Sequence, residues 1–334
     1  MPSDRPIFVV GCPRSGTTML QLMLHAHPRI ALPPETRFLL TAHQQRADFG
    51  DLNEPGNRRS LAEYIVKSSQ FDDLGLDRQQ VIDAIVAGPP TLGSAFGIVF
   101  RMYSERFGKP RWGDKRPVYL RHLSTILKLF PDAQIINIMR DGRDCVASLK
   151  ETPWKPDEFD TLIEYWTRSA DASLAAARYY PDDVYHQVRY EDLVADPEPH
   201  LRAICAFLDE DFDPAMTAPN KLASVAVPEY KTWHTLTHKA PTTERVQSWR
   251  SRLTDDEIRQ CETAFGDRLP RFGYEPSIPV PRGTRIAADA KYLAKDKLGP
   301  AKKAALDLWS QVRPGPEAHE PPIAARLTTR QLAS

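Results

Sequence analysis

Cysteine is scarce in this chain of 334 residues, and the four present, Cys12, Cys145, Cys205 and Cys261, form neither a CxxC pair nor a cluster with histidine. That spacing offers no zinc framework, and a reducing, cytoplasmic setting is expected. Long apolar runs are missing as well. No stretch reaches the 18 or so residues that a spanning helix needs, so no membrane span is expected. Met1–Arg5 leads straight into the apolar stretch Ile7–Val10 and a glycine turn, a strand pattern where a secretory leader would carry its apolar segment, so no leader is expected either. Net charge is absent too: Lys+Arg 44 balances Asp+Glu 44. A wholly basic nucleic-acid binder is thereby excluded, and any anion site must be local. What is plentiful is ordinary for a folded chain, with 41% hydrophobic and 26% charged residues. The 30 prolines gather at segment ends and in the tail.

Ile7-Phe8-Val9-Val10 is continuously apolar, the pattern of a strand buried on both faces of a parallel sheet. It ends at Gly11. After the loop Cys12–Gly16, apolar residues Met19, Leu20, Met23 and Leu24 recur at helical spacing until His27-Pro28 stops the helix. A second unit follows further on: a helix through Leu123, Ile126, Leu127 and Phe130, the turn Pro131-Asp132, a buried strand Gln134–Met139, and a helix opened by Arg140–Arg143. A third strand is expected around Val184–Val188, reached by a long helix over 154–180 and followed by a helix Pro199–Leu208. Strands alternating with helices predict a three-layer α/β/α domain of the P-loop type with a mostly parallel sheet over residues 1–280. Residues 40–110 read as a helical insertion over the sheet's carboxyl edge, and 281–334 as a basic helical extension with a proline-rich end.

The informative segment is Gly11-Cys12-Pro13-Arg14-Ser15-Gly16-Thr17-Thr18, lying after a buried strand and before a helix. Successive backbone N–H groups and a helix N-terminus there form a cradle for an anion. The nucleotide-hydrolase pattern GxxxxGK[ST] has a lysine where this chain has Thr17. Arg14, inside the loop, supplies a cation instead, and its fork can grip two oxygens of one group.

The run Cys12–Thr18 resembles the 5′-phosphosulfate loop of sulfotransferases that use 3′-phosphoadenosine 5′-phosphosulfate, and its continuation through Leu40 is similar to tyrosylprotein sulfotransferases and their bacterial relatives. Trp112–Lys115, Phe130–Ala133, Met139–Arg143 with Ser148, and Arg189–Val194 extend the resemblance over roughly residues 6–275, with 40–110 matching poorly. The resemblance implies that Arg14, Ser15, Gly16, Thr17 and Thr18 hold the 5′-phosphate and the bridging oxygen, and that Arg140 and Ser148 hold the 3′-phosphate. It further implies Glu35 as general base toward the acceptor hydroxyl and Lys115 as a cation on the transferring sulfonate. The blander alternatives are a Glu35 carboxylate paired with Arg37 and a surface Lys115 paired with Asp114. Tyr190 and Lys239 match donor-contacting positions. Thr152 stands where such relatives carry another arginine, a departure in the 3′-phosphate pocket. Trp249 is read as packing, and His25 and His27 as helix-end residues.

Sulfuryl transfer leaves a protein mainly positioning and charge stabilisation to do, so no metal is expected. The expected acceptor is a peptide, carbohydrate, lipid or small-molecule hydroxyl, and no nucleic-acid partner is expected. Two other readings stay open, a P-loop small-molecule kinase and a non-catalytic nucleotide-binding protein of the same fold. The cations of 282–313, among them Lys291, Lys295, Lys302 and Lys303, interleave with Leu293, Leu298, Leu308 and Trp309. That stretch reads either as a helix at a membrane surface or as one packed on the domain or a partner subunit.

Overall fold

The computed structural model describes residues 3–222 and 241–278. The extension 281–334 and Lys239 lie outside the described residues. Five parallel strands, β1 (Ile7–Gly11), β2 (Ile30–Ala31), β3 (Arg111–Lys115), β4 (Gln134–Met139) and β5 (Tyr185–Arg189), form one sheet in the order β2-β3-β1-β4-β5. Strands β3 and β2 fall to one side of β1 and β4 and β5 to the other. The sheet therefore has a switch point beside β1, and ligands of open α/β sheets bind at the carboxyl ends there.

Strand β1 divides the two main cores by simple alternation. Phe8 and Val10 face one core and Ile7 and Val9 the other. The second core is completed by Leu20, Met23 and Leu24 of α1 (Thr17–Ala26), together with α9 (Tyr190–Ala195) and α10 (Pro197–Phe207). The first is built from the insertion: α5 (Leu92–Glu105) packs on β2 and β3, and α2 (Phe38–Gln44), α3 (Pro55–Val66) and α4 (Arg78–Ala87) extend the same cluster outward, joined by α6 (Leu123–Leu129). The insertion is thus a layer of the domain, and it reaches the sheet's carboxyl edge through Gln70 and the approach to α2 at Arg37. A third cluster joins α7 (Gly142–Lys150) and α8 (Phe159–Tyr179) to the C-terminal helices α11 (Trp249–Arg252), α12 (Asp255–Phe265) and α13 (Arg268–Arg271). No helix among the described residues is long and apolar enough to cross a membrane.

Strand β3 is the element that hydropathy does not announce. Its five residues, Arg-Trp-Gly-Asp-Lys, are all buried. Its charges survive burial because each is met, as a buried ion must be. Arg111 donates Nε–H to Arg5 O at 2.9 Å and pairs with Glu210 at 3.2 Å. Asp114 accepts from the Tyr119 hydroxyl at 2.7 Å, from Thr36 Oγ1 at 2.9 Å and from the Lys115 backbone N–H at 2.8 Å. Gly113 is required by proximity, because a Cβ there would lie 2.1 Å from Ile7 O.

His25, in the last turn of α1, is buried against the Phe107 ring, centroids 4.8 Å apart, and its Nδ1 accepts the Leu32 N–H at 3.1 Å. Burial, reinforced by the Lys109 ammonium, lowers its pKa from 6.5 to about 4. The folded state therefore resists protonation that the unfolded chain accepts, and stability is lost as pH falls from 6.5 toward 4, by about 3 kcal/mol. His25→Asn keeps an acceptor for Leu32 but cannot titrate. Its deficit relative to wild type in chemical denaturation is expected to shrink as pH drops from 7 to 4, and a deficit independent of pH would contradict the assignment.

Candidate functional site

Four neighbouring strands each deliver one piece of the site from their carboxyl ends. Lys115 closes β3, the phosphate loop follows β1, Arg140 follows β4 and Tyr190 follows β5. Parallel pairing puts these ends side by side, with Val9 opposite Lys115, Gly11 opposite Ile138 and Met139 opposite Arg189. They open into a cavity of about 780 Å³ lined by Arg14, Gly16, Thr17, Thr18, Glu35, Lys115, Arg140, Ser148 and Tyr190 among others. Every predicted site residue within the described chain lies there except Ser15, which is buried in the loop's floor.

The loop is wound tightly. Ser15 N–H donates to Cys12 O at 3.1 Å, and Arg14 and Gly16 both take positive φ, 70° and 100°. Gly16 caps α1, and a Cβ on it would sit 2.6 Å from the Tyr190 ring, so the residue has no room for a side chain. Arg14 then reaches across to α7, donating Nε–H to Ser148 Oγ at 3.0 Å. Arg140 closes the arrangement from the other side. Its Nη1 donates to Arg14 O at 3.0 Å, its Nη2 to Arg245 O at 2.5 Å, and its guanidinium lies 4.4 Å over the Tyr190 ring. Burial, then the neighbouring Arg140, pulls the Arg14 pKa down to about 10. An anion entering between these two cations relieves that repulsion.

Two buried polar atoms in this cradle, Ser15 Oγ and Arg140 Nε, have no partner among the described residues. Orphaned donors beside a helix N-terminus and two guanidinium groups fit an anionic group seated in the loop. Across the cavity, at the end of β3, Lys115 Nζ lies 3.1 Å from Glu35 Oε2 and 3.5 Å from Thr18 Oγ1. The lysine side chain is 5% exposed and the carboxylate 28%. Lys115 is therefore not a surface residue, and it meets Asp114 through its backbone N–H rather than its ammonium. Burial raises the Asp114 carboxyl to about 6 against the three hydrogen bonds it accepts.

Sequence reasoning missed the cations contributed from the far end of the chain. Arg245 and Arg252 line the cavity beside Ser148 and Thr152. Asp144 holds their segment down, accepting from Gln247 N–H at 2.9 Å, the Ser248 hydroxyl at 2.9 Å and Trp249 N–H at 2.8 Å. Those contacts span more than a hundred residues, and no local pattern in the sequence signals them. Trp249 is buried, sandwiched between Arg143 and Arg250 at 4.1 and 4.5 Å, a packing role. Among the described residues, no group of three or more His, Cys, Asp or Glu is arranged to hold a metal ion.

A parallel α/β sheet with an arginine-bearing loop between strand and helix at its switch point defines a protein of the P-loop-type fold class. The family model of the sulfotransferase family matches residues 6–214, and the chain belongs to that family of enzymes. A protein-tyrosine sulfotransferase of Drosophila melanogaster is 25% identical over 285 residues, which are 82% of this chain and 52% of the relative, so the chain spans about half of that protein's length. The nodulation protein NoeE of Sinorhizobium fredii is 27% identical over 311 residues, 85% of this chain and 69% of the relative. Among solved structures, the sulfotransferase domain of the Synechococcus PCC 7002 olefin synthase superposes with a TM-score of 0.57 at 25% identity, covering 80% of this chain and 96% of that domain. The sulfotransferase domain of the curacin biosynthetic pathway gives the same TM-score at 21% identity and shares the fold.

The packing of Tyr190 on the loop yields a direct test. Gly16→Ala is expected to lose about 1–3 kcal/mol in thermal denaturation from the strained φ and the ring contact. An unchanged melting temperature would contradict that packing.

Proposed function

We propose that the protein transfers the sulfonate of 3′-phosphoadenosine 5′-phosphosulfate to an acceptor hydroxyl by in-line attack. The observation that carries this reading is the Glu35–Lys115 pair, 3.1 Å apart, at the lip of an arginine-bearing phosphate loop. A base must stand within hydrogen-bond reach of the hydroxyl it deprotonates, and a cation must stand where the sulfonate passes. In the proposed reaction the acceptor oxygen bonds to sulfur as the bond from sulfur to the phosphate's bridging oxygen breaks, and Glu35 takes the hydroxyl proton. Lys115 and Arg14 offset the charge on the sulfonate and bridging oxygens. The loop residues Ser15, Gly16, Thr17 and Thr18 seat the 5′-phosphate, and Arg140 and Ser148 take the 3′-phosphate, with Tyr190 and Lys239 as further donor contacts.

Family membership and the orphaned donors at Ser15 and Arg140 support an anionic donor in this loop. Threonine at position 17 supports a sulfuryl over a phosphoryl donor, because the lysine that a nucleotide hydrolase sends to the β- and γ-phosphates is replaced. Peptidyl tyrosine, carbohydrate, lipid and small-molecule hydroxyls are the acceptor classes to screen. The reading includes a reducing compartment, supported by four buried cysteines that are all free.

Calorimetric titration in EDTA tests the donor. Adenosine 3′,5′-bisphosphate is expected to bind without metal and in preference to Mg²⁺-ATP, and Arg140→Ala is expected to weaken it by about tenfold or more, the scale of a lost charge-assisted hydrogen bond. Preference for Mg²⁺-ATP would put the kinase reading in its place. Once an acceptor is in hand, Glu35→Gln is expected to lower kcat by about 10²–10⁴ while bisphosphate affinity stays within about twofold. Full turnover by that variant would remove Glu35 from the mechanism.

A further inference from the structure

Position 152 brings no cation to the cavity. Thr152 is buried, and its hydroxyl donates to Leu149 O at 2.8 Å, closing the last turn of α7. A guanidinium nevertheless faces that helix end. Arg252, the last residue of α11, donates Nε–H to Glu151 Oε1 at 2.8 Å and Nη2–H to Glu151 Oε2 at 2.6 Å. Its Nη1 donates to Ser248 Oγ at 3.0 Å. Glu151, Thr152, Arg245 and Arg252 line the same cavity as Arg14, Arg140 and Ser148.

The two parallel bonds on Glu151 use the fork as a phosphate would use it. The partners differ in freedom. Arg252 is 13% exposed and is held through Ser248, which Asp144 in turn ties to α7, whereas Glu151 is 55% exposed at a helix end. The cation is fixed and the carboxylate can turn to water. The Arg252 hydrogen bonds hold the Glu151 carboxyl below its ordinary range, with Arg245 and Arg14 adding to the effect, so the carboxylate is ionised at neutral pH and competes as an anion.

We propose that Arg252 serves the second-phosphate subsite in place of the cation missing at position 152, and that Glu151 is an internal anion occupying its fork until the ligand's phosphate displaces it. The inference rests on the donor reading above. It predicts a selectivity that a merely structural bridge would not produce. Removing the Glu151 charge should tighten ligands that carry the second phosphate and leave those without it alone.

The test is calorimetry of adenosine 3′,5′-bisphosphate and of adenosine 5′-phosphate on wild type, Glu151→Gln, Arg252→Ala and the double variant. Glu151→Gln is expected to tighten the bisphosphate by about threefold to tenfold and to shift the monophosphate by less than about twofold. Arg252→Ala is expected to weaken the bisphosphate by about tenfold or more with the monophosphate unchanged. In the double variant the gain from Glu151→Gln disappears, since the competing anion then has no fork to occupy. Weaker or unchanged bisphosphate binding by Glu151→Gln overturns the proposal, as does an equal loss of both ligands in Arg252→Ala. Should Arg252→Ala fold poorly, Glu151→Gln decides alone. Absence of bisphosphate binding by the wild type overturns the donor reading itself, and this inference with it. Selective binding with a silent Glu151→Gln overturns only the inference.

Discussion

One guanidinium joins the parts of this site. Arg140 leaves the end of β4 and donates to a carbonyl of the phosphate loop, donates to a carbonyl of the C-terminal segment, and lies over the ring that follows β5. Asp144 stands behind it at 3.8 Å, one turn along α7. Three stretches of chain, at Arg14, Tyr190 and Arg245, are thereby held around a single buried charge. Its direct hydrogen bonds go to backbone carbonyls, which solvate the charge, and the Asp144 carboxylate balances it from behind. The loop thus acquires its rigidity from a side chain that also brings a cation to its edge.

The sheet's centre was legible in the sequence because it is apolar. Ile7–Val10 and Gln134–Met139 read as buried strands, and both are found within a residue of their expected ends. Strand β5 and α8 also fall close to expectation. Strand β3 escaped because hydropathy registers Arg111, Asp114 and Lys115 as surface residues, while their partners Glu210, Thr36 and Glu35 come from distant positions. The insertion was legible as helices but not as a layer: its apolar stripes showed that it buries something, and only the packing shows that this is the sheet face carrying Phe8 and Val10.

The site divides along the same line. Arg14 through Thr18, Arg140 and Ser148 sit in local patterns of strand, glycine turn and helix start, and such patterns carry their own geometry. Glu35 and Lys115 are 80 residues apart, and nothing local states that the carboxylate and the ammonium meet. Arg245 and Arg252 were invisible for a related reason. Their segment has no periodicity of its own and owes its position to Asp144, so its place in the cavity is a tertiary fact.

The buried carboxylate of Asp114 has a consequence for how such a site can diversify. It bonds Thr36, next in sequence to Glu35, and belongs to the residue before Lys115. The gap between the Glu35 carboxylate and the Lys115 ammonium is therefore gauged from beneath, by a buried strap that the cavity does not expose. Residues around the cavity mouth can be exchanged while that spacing stays as it is.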